Sequence, residues 1–140
     1  MNYELVYPMA AMVSLTFGIV IALFRARVRA VRAGEVDASY FKTYQEGSEP
    51  RHTAQLSRQF VNLFETPVLF YVACVTAMVT GQSSTTMLLL AWLYVGLRLA
   101  HAFVHTGSNR MKPRIRIYFA SWLVLIGMWA SIVIGVTRSL

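Results

Sequence analysis

The chain has one cysteine, Cys74, set in the middle of an apolar stretch, so it can form no intramolecular disulfide and offers no thiolate set for a metal. A buried cysteine is usually inert, and the fold must rest on packing alone. No aspartate falls in any long apolar stretch and no serine sits in a G-x-S-x-G turn, which leaves Ser-His-Asp hydrolysis without its parts. Internal repeats and low-complexity tracts are missing as well. The first apolar stretch has no basic residue ahead of it, only Glu4, so it reads as a retained anchor with the N-terminus outside, not as a cleaved signal peptide.

What the chain does have is apolar length. Of its 140 residues 56% are hydrophobic, with a mean hydropathy of +0.52. That is too apolar for an ordinary soluble domain, and the length suits a single membrane domain over 1–140. A helix needs about 20 mostly apolar residues to span the hydrocarbon. Four stretches qualify, at 6–24, 59–79, 87–105 and 117–136. The expected fold is an all-α, integral membrane four-helix bundle. Small residues in the first and last stretches (Ala10, Ala11, Ser14, Gly18; Gly127, Ser131, Gly135) suit close helix packing in lipid.

The net charge of +7 does not point to nucleic acid, because of where the charges lie. Arg25, Arg27, Arg29, Arg32, Lys42, Arg51 and Arg58 lie in or beside the first loop, and Arg110, Lys112, Arg114 and Arg116 crowd the third. The second loop, GQSSTT, carries none. The positive-inside rule makes the first and third loops cytoplasmic and both termini external, with most of these cations facing anionic lipid headgroups. In the first loop RARVRAVRA continues the first helix out of the membrane as far as the breaker Gly34, and Gly107 and Pro113 mark a short third loop between antiparallel spans.

Two polar stripes interrupt the apolar pattern. In RQFVNLFETPVLFYVACV, Arg58, Asn62 and Glu65 are four and then three residues apart, which places them on one face of a helix. The third span repeats the pattern with Arg98, His101 and His105. An ionisable side chain at the centre of a membrane helix costs roughly 2.5–3.5 kcal/mol on insertion scales, so such groups normally face protein or water. The stripes are expected to face each other or a shared cavity, with Glu65 pairing an arginine such as Arg98. A structural network that fixes helix register explains the same residues equally well. Two histidines four apart with one carboxylate in range are too thin a set for a metal.

The string R-x-x-x-N-x-x-E with its nearby proline, RLAHAFVH in the third span and NRMKPRIRIY leading into the fourth resemble the MAPEG family, the membrane-associated proteins in eicosanoid and glutathione metabolism. The pattern is similar to a bacterial-type member, nearest the microsomal glutathione transferase and prostaglandin E synthase branches. The resemblance implies a homotrimer, in a bacterial inner membrane, that binds glutathione between subunits near the cytoplasmic face. It also implies transfer of glutathione to lipophilic electrophiles, or reduction of lipid hydroperoxides. Arg58, Asn62 and Glu65 are the matching glutathione-pocket positions, joined by Arg98, His101 and Tyr118. An arginine at the start of the fourth span activates the thiol in relatives. Arg110, Arg114 and Arg116 compete for that role here, and Arg114, four before Tyr118, fits the family spacing. His105 stands where relatives place a tyrosine, and its imidazole is the group offered to sulfur. Thr66 stands where leukotriene synthase has tyrosine, which argues against that specificity.

The physics of the assignment is independent of the resemblance. Glutathione carries two carboxylates, an ammonium and a thiol. Arg58 suits a carboxylate through its planar fork, Glu65 suits the ammonium, and a guanidinium beside the sulfur favours the nucleophilic thiolate. Two other functions use the same residues: a non-catalytic MAPEG-fold protein binding lipid through its basic cytoplasmic face, and a proton or small-molecule carrier relaying through Glu65, His101 and His105.

Overall fold

The computed structural model describes residues 3–45 and 47–139. These described residues form six helices: α1 (Val6–Arg32), α2 (Tyr40–Thr43), α3 (Arg51–Asn62), α4 (Thr66–Val79), α5 (Thr85–Thr106) and α6 (Met111–Ser139). Among the described residues there is no strand. Four helical units are long and apolar enough to cross a membrane: α1, α3 with α4 taken together, α5 and α6. The chain is an integral membrane protein built as an all-helical bundle. Its surface fits that setting, since Phe17, Val79, Leu89, Phe103 and Leu123 all point outward.

The first helix does run past residue 24 and stops where the breaker was expected. Gly34 adopts φ +70°, a left-handed conformation that favours glycine. Its N–H donates to Val31 O and that of Glu35 to Ala30 O, the paired bonds of a Schellman ending. The extension turns Ala26 and Ala30 inward against α3. Gly81 at φ +73° closes α4 in the same way, and the Ser84 side chain then caps α5 by accepting from Met87 N at 3.1 Å.

The second span, read as one helix over 59–79 with Arg58, Asn62 and Glu65 on one face, is not continuous. It breaks at 63–65 between α3 and α4. Pro67 lies in the first turn of α4; it has no N–H to give the carbonyl four residues back, and its ring crowds that carbonyl. The break is therefore chemical in origin. Phe70 of α4 stacks on Tyr94 of α5 at 4.6 Å, and the Tyr94 hydroxyl donates to Thr66 Oγ1 at 3.2 Å, holding α4 to α5 just below the break.

The core runs the length of the bundle through Met12, Ile19, Phe70, Ala73, Cys74, Ala77, Met87, Ala91, Leu125 and Met128. Helices α5 and α6 form the most extensive pair, with α3 against both α1 and α5. At the basic end the first loop is fastened by Arg27. Its guanidinium pairs with Glu49 at 3.0 Å, donates to Ser57 Oγ at 3.0 Å, and lies 5.0 Å and 5.5 Å from the rings of Phe41 and Tyr44. One of the expected headgroup cations is thus committed inside the protein.

Candidate functional site

A cleft of about 380 Å³ opens where the α3–α4 break meets the C-terminal end of α5 and the start of α6. Ser57, Arg58, Val61 and Asn62 line it from α3, Glu65 from the break, His105 from α5 and Arg114 from α6. A second cleft of about 210 Å³ adjoins it, sharing Asn62 and Arg114 and adding His101, Ile115, Tyr118 and Phe119. Two helical stripes that are separate in sequence therefore meet at one place. The residues expected at the site divide into three groups.

Arg58, Asn62, Glu65, His105 and Arg114 line the first cleft, and His101 and Tyr118 the second. Arg58 and Glu65 are exposed, Asn62 and Arg114 half-buried, His101 and His105 buried. Arg98 is fully buried beneath the clefts and does not line them. Arg110 and Arg116 are exposed and line neither. The helical period separates these three arginines: Arg114 faces the bundle, while Arg110 and Arg116 project from other faces of α6. Asn109 holds Arg114 in place, accepting from its Nη1 at 2.8 Å from a left-handed backbone at φ 49° that asparagine tolerates.

The expected pairing of Glu65 with Arg98 is not made. Arg98 instead donates from Nη2 to the backbone carbonyl of Asn62 at 3.1 Å. The break after Asn62 leaves that carbonyl at a helix end, where it needs a donor from outside the helix. Glu65 occupies the N-cap position of α4 without a capping hydrogen bond from its side chain, and lines the cleft. The remaining Arg98 nitrogens, Nε and Nη1, are buried without a hydrogen-bond partner, and its guanidinium carbon lies 5.9 Å from the centre of the Tyr118 ring. His101 packs between His105 and Tyr118, with centroids at 5.5 Å and 5.7 Å, and neither of its ring nitrogens makes a hydrogen bond.

Gln59 was not singled out from the sequence. It is fully buried and its Oε1 lies 2.8 Å from Nδ1 of His105. Only its position next to Arg58, on the side of α3 that turns toward α5, marked it, and that side is invisible until the two helices are paired. Among the described residues no cluster of three or more His, Cys, Asp or Glu is placed to hold a metal.

A model of the MAPEG family matches residues 5–134, nearly the whole chain. The chain belongs to the MAPEG family. No curated protein and no solved structure matches it. The MAPEG match takes in every residue of both clefts. Membership implies membrane glutathione-related transferase or eicosanoid-type function as a general class.

Proposed function

We propose that the protein is a glutathione-dependent membrane transferase or peroxidase acting on lipophilic electrophiles or lipid hydroperoxides. The observation that carries this reading is the chemical make-up of the first cleft: two guanidiniums, one carboxylate, one carboxamide and one imidazole around about 380 Å³. Those groups complement a peptide thiol that has two carboxylates and one ammonium.

In this reading Arg58 takes a glutathione carboxylate through a bidentate contact. Glu65, free of Arg98, receives the ammonium, with Asn62 beside it. Arg114 faces the sulfur and favours the thiolate, which is the form that attacks an electrophilic carbon or a peroxide oxygen. The buried Arg98 adds a positive potential beneath the site that no neighbouring carboxylate cancels within ion-pair distance among the described residues. Lipophilic substrate reaches the sulfur from the bilayer, past Ile115 and Phe119 in the adjoining cleft.

The functional unit in this proposal is a homotrimer, as the resemblance implies, and the exposure of Arg58 and Glu65 on the protomer suits a cleft completed by a neighbouring subunit. The first and third loops face the cytoplasm of a bacterial inner membrane. Arg25, Arg29, Arg32, Arg110 and Lys112 support this orientation, being exposed at that end.

The test is titration of detergent-purified protein with glutathione while thiolate absorbance is followed, then turnover assays with a chlorinated aromatic and a lipid hydroperoxide. Saturable thiolate formation with either turnover supports the proposal. Neither thiolate nor turnover refutes it.

A further inference from the structure

Two buried side chains from different helices meet beside the cleft, and neither is explained by packing. Gln59 of α3 is fully buried and His105 of α5 nearly so, yet they make a 2.8 Å hydrogen bond. The contact spans 46 positions of sequence. Its chemistry fixes a proton. The atom of Gln59 facing the ring is the carbonyl oxygen Oε1, while its Nε2 is buried without a hydrogen-bond partner; an oxygen can only accept, so with the amide turned this way Nδ1 of His105 carries the hydrogen.

Charge supports this orientation of the amide. The groups acting on His105 are Arg114 from α6, Arg58 from α3 and Arg98 from its own helix, with Glu65 lining the same cleft from the break. Three guanidiniums favour the negative ends of nearby dipoles. An amide turned with its oxygen toward them is better placed than one turned with its NH2 toward them. His105 itself lines the cleft.

We propose that Gln59 is a positioning residue that locks His105 as the Nδ1–H tautomer, leaving the Nε2 lone pair on the cleft side as the proton acceptor for a bound thiol. This rests on the glutathione reading for its substrate and adds what that reading lacks, a destination for the thiol proton. The S–H bond breaks and an Nε2–H bond forms; sulfur keeps the electron pair as thiolate beside Arg114. The site's total charge does not change in the transfer, and the thiolate formed beside both groups offsets the repulsion between the imidazolium and the guanidiniums. The imidazolium then releases the Nε2 proton to water in the open cleft, and the Gln59 bond returns the ring to the same tautomer. His105 is therefore an acceptor, not a donor, toward sulfur.

Nitrogen NMR of the ¹⁵N-histidine-labelled protein tests the pairing without any ligand. The three histidines are assigned with His52→Gln and His101→Gln variants. The expected result is a protonated Nδ1 and a bare Nε2 for His105, the reverse of the tautomer free histidine favours in water. A protonated Nε2 overturns the proposal, because the amide must then be turned round and His105 can only donate.

Kinetics test the role. General-base catalysis typically contributes 10²–10⁴-fold, so Gln59→Leu should lower kcat by about 10²-fold with KM for glutathione changed less than about threefold, and Gln59→Glu should restore most of kcat by keeping the acceptor. Should Gln59→Leu fail to fold, Gln59→Glu and the wild-type tautomer still decide. Equal loss in kcat for the Leu and Glu variants overturns the positioning role. Absence of glutathione binding would overturn the functional reading and the thiol step with it, while the tautomer would still confirm or refute the Gln59–His105 pairing.

Discussion

Two arginines on the same protein show how differently a guanidinium can be housed. Arg27 sits at the loop end with a carboxylate at 3.0 Å, a hydroxyl at 3.0 Å and two aromatic rings within 5.5 Å. Arg98 sits deeper, with no exposure, one backbone carbonyl and two nitrogens left over. The first arrangement spends every feature of the group on holding α1, α2 and α3 together. The second leaves charge and hydrogen-bonding capacity unspent beside a cleft. A buried polar group without a partner costs about 1–3 kcal/mol, more when charged, and groups so costly in a membrane are the ones function retains. Arg27 is architecture, and in our account Arg98 is part of the site.

The comparison can be broken by substitution. The largest effect should come from Arg114→Ala: loss of the guanidinium should raise the bound thiol's pKa by about one to three units, back toward the ordinary value of about 8.5, and so cut thiolate at neutral pH by about 10–30-fold, with the glutathione dissociation constant little changed. Spectroscopic titration of the bound thiol measures both. If Arg110→Ala or Arg116→Ala raises the thiol pKa while Arg114→Ala does not, the geometry of the cleft is wrong.

Next in size, Arg98→Met should weaken glutathione binding by up to about tenfold through loss of the positive potential beneath the cleft, with a small net change in thermal stability, because relief of an uncompensated buried charge is set against stranding the Asn62 carbonyl, at about 1–3 kcal/mol. Isothermal titration and a melting curve read the two effects. A large stability loss with intact binding would make Arg98 a second Arg27.

Arg27→Met should do the reverse. It strands Glu49 and Ser57, which are themselves bonded at 2.8 Å, and should cost about 1–2 kcal/mol of stability in a partly screened pair, with glutathione affinity unchanged. The smallest effect belongs to Arg32→Gln, an exposed cation whose loss should leave both stability and binding within error, about 0.5 kcal/mol. A melting shift there would mean that the basic face is structural.

How much of this was legible in sequence depends on the range of the interaction. The four spans, the extension of α1 to Gly34 and the stripe of α5 follow from local composition and period and are present, whereas the first stripe is split, with Arg58 and Asn62 on α3 and Glu65 in the break. The break in the second span was half-legible. Pro67 is visible in the sequence, but membrane helices often carry proline through a kink, and only the partners around it decide whether the helix continues. The Asn62 carbonyl found such a partner in Arg98, and that same bond replaced the Glu65–Arg98 pairing that charge alone suggested. Gln59 with His105, and Asn109 with Arg114, could not be read at all. The first depends on how α3 and α5 are paired across 46 residues, and the second on a left-handed residue in a loop.

The most direct test of the central claim, that the cleft between α3, α5 and α6 binds and ionises a peptide thiol, is the thiolate absorbance of glutathione titrated against the purified protein at neutral pH, beside the Arg114→Ala variant. The account predicts saturable thiolate in the wild type and its loss, with binding retained, in the variant. Equal thiolate in both would contradict it, as would no thiolate in either despite measured binding.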